Sequence, residues 1–182
     1  MKENLKHLIS FMALAIFVFI AFGSMDDDSS SSSSSSSNSV SSDNSVTTKQ
    51  VGETLSTQYF DVTINKVSLQ DRVSTGNQFA DLKKEEGNQY LVLNTTFKNT
   101  DDESRMIMDG EVLINYNGKE YLFDKSETVM LEGWGLMLDQ INPLTSKTTN
   151  LVYKIPSEIT GPAYYRPGRS NSDDLIVIGN IQ

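Results

Sequence analysis

The side chains able to do chemistry are few and unevenly placed. The chain holds one histidine, His7, and no cysteine. His7 precedes an apolar N-terminal run, so everything after that run lacks both residue types. Ser-His-Asp and Cys-His nucleophile systems, imidazole or thiolate metal sites and disulfides are thereby excluded from the rest of the chain. No Gly-rich phosphate loop or Walker pattern is present. Carboxylates remain. Asp101-Asp102-Glu103 and Asp173-Asp174 are acidic runs in the C-terminal part. Calcium takes about six to eight oxygens from spaced ligands, and neither run has that spacing, so Asp101, Asp102 and Glu103 are weak calcium candidates and read better as a solvated loop. A carboxylate-dependent hydrolase needs two acids facing each other across a cleft, and a small β-domain is not expected to have one.

Recognition is better served. Glu132-Gly133-Trp134-Gly135-Leu136-Met137 sets the only tryptophan between glycines, where the backbone can bend sharply and present the ring. Trp is favoured at interface hot spots, and it also commonly plugs the end of a sandwich core. Gly161-Pro162-Ala163-Tyr164-Tyr165-Arg166-Pro167-Gly168-Arg169 reads as an irregular aromatic and basic loop on an acidic domain. Tyr and Arg are enriched at partner-binding surfaces, whereas a packed connection is the structural alternative. Trp134, Tyr164, Tyr165, Arg166 and Arg169 are therefore the partner-binding candidates. Asn94-Thr95-Thr96 matches a glycosylation sequon but lies within an expected strand.

The surface charge narrows the partner class. The net charge is -9, and the 12 Lys and Arg against 19 Asp and Glu from Gln50 onward leave that part at -7. Phosphate-binding surfaces show the opposite balance, so nucleic acid is excluded as a partner and adsorption to an anionic leaflet is disfavoured. A cell-surface or cell-wall protein is the expected partner, and no cofactor is expected.

The elements that hold these residues follow from composition and period. Lys2 and Lys6 precede an apolar run from Leu8 to Phe22, and Asp26-Asp27-Asp28 follows it, which orients the segment with its N-terminus in the cytoplasm. Two readings stay open. Ala21-Phe22-Gly23 resembles a small-x-small cleavage site of a signal peptide. Alternatively, Leu8 to Met25 forms an apolar helix of about 27 Å, enough to span a bilayer. Ser29 to Ser37 is an unbroken serine run, and the polar tract continues through Thr48. It has almost no apolar surface to offset the entropy of ordering and is expected to be a disordered tether, about 25–30 Å in r.m.s. span.

The rest reads as strands. Phe60, Val62 and Ile64 alternate with polar residues; Val67 and Leu69 resume on the other parity, predicting a bulge or a bend into a second sheet. Gln70 to Gly87 is a polar connection. Tyr90 to Phe97 is apolar on both parities, as in a central strand covered on both sides. Val112, Ile114 and Tyr116 lead into Asn117-Gly118, a type I′ hairpin signal, and Tyr121 and Phe123 return from it. Ile141-Asn142-Pro143 makes a corner, Thr148 to Ile155 is a further strand, and Leu175 to Ile178 is the last. Short strands at this spacing, with no long helical period, predict a β-sandwich.

The order of features resembles the telokin-like, immunoglobulin-like domain of a family of unknown function found in Gram-positive surface lipoproteins. The resemblance rests on Val51-Gly52-Glu53-Thr54, Phe60 to Ile64, Gly87 to Leu93 with Phe97 to Thr100, Tyr116 to Tyr121, the Asn142-Pro143 corner and Leu151 to Pro156. It implies an immunoglobulin-like sandwich displayed outside the cell and no particular activity. Many relatives carry a lipidated cysteine after the signal, and this chain has none.

The expectation is an all-β, immunoglobulin-like antiparallel β-sandwich at 51–182, after a signal peptide or membrane anchor at 1–25 and a disordered linker at 26–50. It would be held outside the membrane by a single pass, or secreted if the signal is cleaved. It would act as a non-enzymatic binding or adaptor module, an exclusion or immunity-type factor being one form of this; a calcium- or glycan-binding module and a carboxylate-dependent hydrolase are the alternatives.

Overall fold

A computed structural model describes residues 46–136, 139–168 and 173–182. The apolar N-terminal run, the serine run and Arg169 lie outside the described residues.

The described chain is all β. One sheet takes β2 (Thr54–Ser56), β3 (Phe60–Gln70), β4 (Asn88–Asn99) and β9 (Ser146–Pro156) in the order β2-β3-β4-β9. The other takes β1 (Thr48–Gln50), β6 (Glu111–Tyr116), β7 (Lys119–Phe123), β10 (Gly161–Arg166) and β11 (Leu175–Ile181) in the order β1-β11-β10-β6-β7. All pairs in these sheets are antiparallel except β1 with β11, which is parallel. A two-strand patch, β5 (Arg105–Met106) with β8 (Gln140–Ile141), completes the set. β1 falls where linker was expected: its polar residues carry no apolar period, and main-chain pairing to Leu175, Ile176 and Val177 recruits them.

Alternation builds the core between the sheets. Phe60, Val62 and Ile64 of β3 meet Leu91, Leu93 and Phe97 of β4 and Leu151, Tyr153 and Ile155 of β9. From the other sheet come Val112, Ile114, Ala163, Tyr165, Ile176 and Ile178. The change of parity after Ile64 is a bulge: the register shifts between Ile64 and Lys66, and β3 stays in one sheet. Asn117 at φ 51° and Gly118 at φ 76° make the expected hairpin turn.

β4 is covered on both sides, as its double apolar parity requires. Its outward residues Tyr90 and Val92 join Val73, Val129 and Val152 in a second buried cluster. The polar connection after β3 and the segment around residues 129–134 close over it, with Ala80, Leu82, Leu131 and Trp134 packed against it.

Candidate functional site

Two tight main-chain approaches shape one end of the five-stranded sheet. Met108-Asp109-Gly110 leads into β6, and Arg166-Pro167-Gly168 leaves β10 beside it. A Cβ on Gly110 would stand 2.5 Å from the Arg166 carbonyl oxygen, and one on Gly168 would stand 2.6 Å from the Met108 Cβ. Gly110 also has φ 76°, a left-handed conformation that costs a side chain. Below this contact the Asp109 carbonyl accepts hydrogen bonds from the hydroxyls of Tyr153 and Tyr165, each at 2.7 Å. Both phenols are buried, and desolvation holds their pKa values well above the ordinary 10.

The wall so fixed borders a half-open cleft of about 610 Å³. Met106, Ile107, Met108, Val129, Leu136 and Pro167 supply its apolar lining. Asp109, Glu111, Asp124, Glu127 and Arg166 supply charge. Arg166 donates from Nε to Glu111 at 2.9 Å and from Nη1 to Asp173 at 3.2 Å, and the Glu111 contact raises its pKa. Glu127 pairs with Lys154 at 3.4 Å, and Asp109 accepts a hydrogen bond from the Ser126 hydroxyl. The cleft corrects the expectation that a small sandwich has none. Its lining comes from segments far apart in sequence, and only the turn residues Asp109-Gly110 and Pro167-Gly168 mark their ends.

The partner-binding candidates separate. Gly161 to Arg166 is a strand, β10, flanked by β6 and β11, rather than a loop. Tyr165 faces inward with no exposed surface and is a core residue, which corrects its assignment to a partner surface. Tyr164 points to the outer face, opposite Leu113 and Val177, and is half-buried. Arg166 lines the cleft. Trp134 neither plugs the core between the sheets nor stands free: it is half-buried in the second cluster, and its segment pairs with β9 at Asn150. The flanking glycines have φ 81° and 65°, so the sharp bending expected of them is present.

The acidic run is partly compensated by one arginine. The Arg105 guanidinium binds the Asp101 carboxylate, lowering its pKa, and reaches Glu103 at 3.2 Å while stacking over Tyr59. The buried Asn99 holds the loop by donating to the carbonyls of Glu103 and Ile141. Among the described residues no group of three or more acids or histidines is placed to hold a metal ion, so Asp101, Asp102 and Glu103 do not converge as calcium ligands.

The profile of a domain of unknown function, DUF4352, matches residues 49–165. The chain belongs to this family. The DUF4352 chain is also similar to solved structures. An uncharacterized β-sandwich protein from Clostridium difficile superposes with a TM-score of 0.51 at 17% identity, over 74% of this chain and 97% of that one. A conserved hypothetical protein from Bacillus anthracis gives 0.49 at 22% identity, over 74% and 95%. The yjhA protein from Bacillus subtilis gives 0.47 at 18% identity, over 72% and 99%. The first of these places the DUF4352 domain among β-sandwiches. No curated protein matches the chain.

Proposed function

We propose that this chain is an exported, membrane-tethered β-sandwich that binds a protein partner without catalysis, and that the cleft beside Gly110 and Gly168 is where it does so. The carrying observation is the cleft itself: about 610 Å³, apolar within and charged around it. Binding pockets have this size and make-up, roughly 300–1,000 Å³ with a few placed polar groups. The catalytic inventory supports binding over turnover. Beyond the N-terminal run there is no histidine or cysteine, and two of the four cleft acids are occupied by Arg166 and Lys154. The lysines before the apolar run, the acids after it and the serine tract support export and tethering.

The strand order also supports an immunoglobulin-like sandwich. Lettering β3, β4 and β9 as A, B and E, and β7, β6, β10 and β11 as C′, C, F and G, gives the A-B-E and C′-C-F-G orders of that fold.

A photo-crosslinking amino acid at position 108, in the cleft, tests the reading in cells that make the protein. Position 158 is the control, in the turn before β10 at the other end of that strand. A discrete product from 108 and none from 158 is expected; identical products from both, or none from 108, would remove the cleft as the binding site.

A further inference from the structure

The cleft and its neighbouring strand select for one kind of partner segment, an inference that rests on the binding reading above. Among the described residues four acids line the cleft against one cation, Arg166, which Glu111 and Asp173 already engage. Glu127 is matched by Lys154. Among the described residues Asp109 and Asp124 have no cationic partner, and Asp124 has no hydrogen-bond partner either. The cleft therefore combines an apolar lining with uncompensated negative charge. Its methionines add adaptability, since flexible thioethers repack around different side chains.

The second observation is a free backbone edge. β7 is the last strand of its sheet and has no neighbour on its outer side among the described residues. An edge of this kind leaves N–H and C=O groups unpaired and can accept an added strand. β7 ends at Phe123, and the next residue, Asp124, lines the cleft. Edge and cleft are thus continuous.

We propose that the β7 edge and the cleft together receive an extended segment of a partner protein that carries Lys or Arg beside apolar residues. The segment adds to β7 through its main chain, lowers an apolar side chain onto Met106 and Met108, and sets its cation against Asp109 and Asp124. The chain's own tether does not fit: residues 26–48 include four aspartates and no Lys or Arg. A second copy fits poorly, because each chain carries -9.

The test uses the full-length protein and a fluorescent ten-residue peptide of alternating Lys and Leu. The peptide with Glu in place of Lys is the control, and spermidine is a small-cation competitor. The Lys-Leu peptide should bind, and its affinity should fall about tenfold in Asp109→Asn/Asp124→Asn while Asp61→Asn/Asp71→Asn keeps it, a loss equal to one decade in Kd. Amide exchange across Lys119–Phe123 should slow on binding. Equal loss in both double variants, equal binding of the Glu peptide, full displacement by spermidine, or unchanged exchange in β7 would each overturn the proposal. If the peptide fails while position 108 still crosslinks a partner, the ligand class is wrong and the binding reading stands; if both fail, both fall.

Discussion

At the scale of single residues, the Asp109 carbonyl is a doubly used acceptor beside the cleft, since two buried phenols donate to it. Tyr165→Phe removes one donor and leaves the other, so a loss of about 0.5–1.5 kcal/mol in urea unfolding is expected. Tyr153→Phe/Tyr165→Phe should lose more than the sum of the single variants, because the second removal strips the carbonyl of its remaining protein donor. The same residues set an alkaline limit. Both phenols titrate higher in the folded state than the ordinary 10, so above pH 10 the unfolded chain releases protons that the folded one keeps. Stability is then complete below about pH 10 and falls above it, by about 1.4 kcal/mol per pH unit for each tyrosine. Denaturant titrations between pH 9 and 12 should show this slope, to which the raised Tyr90 and Lys154 add, and Tyr165→Phe should remove one tyrosine's share of it. None of this chemistry was legible beforehand: Tyr165 sits in a Gly- and Pro-flanked run whose composition is that of an exposed loop, and its burial comes from the core between the two sheets, into which β10 points it.

At the scale of elements, local patterns carried much of the fold and little of the site. Asn117-Gly118 specified a hairpin because two consecutive positive-φ residues allow few other conformations. The double parity of Tyr90 to Phe97 told of a strand covered twice, and both covering clusters are present. β10 escaped because Gly161 and Pro162 punctuate a strand as readily as they end one. Gly161 is needed there for close approach to the Asn115 carbonyl, a contact between residues distant in sequence. The meeting of Met108–Gly110 with Arg166–Gly168 is equally non-local. Gly168→Ala should cost about 1–3 kcal/mol by overpacking against Met108, with the melting temperature as the readout. The segment Gly133–Gly135 serves another purpose, pairing with Asn150 and covering the outer edge of β9. Trp134→Ala should destabilise by about 1–3 kcal/mol and leave that edge more open, so larger species should appear in size-exclusion chromatography at high concentration.

At the scale of the whole molecule, charge and inventory were readable from the sequence and remain the strongest constraints on function. The excess of acids persists in the folded domain, and several are tied to Arg105, Arg166, Lys147 and Lys154. Association with a cationic partner should weaken severalfold between 0.05 and 0.5 M NaCl, because screening acts on the uncompensated rim acids, and surface plasmon resonance would measure this mainly in the on-rate. The family relationship places the domain among β-sandwiches and assigns no partner.

The parallel strand β1 has a mechanical consequence. Thr47 donates to the Asp174 carboxylate at 2.6 Å, and Asp173 beside it holds Arg166 at the mouth of the cleft. Thr47 thus lies on the side of Arg166 that Asp173 holds, and a guest in the proposed binding cleft would stand near the point where the proposed tether joins the sandwich. Shortening the serine run should accordingly be felt by a bulky guest before it is felt by the fold.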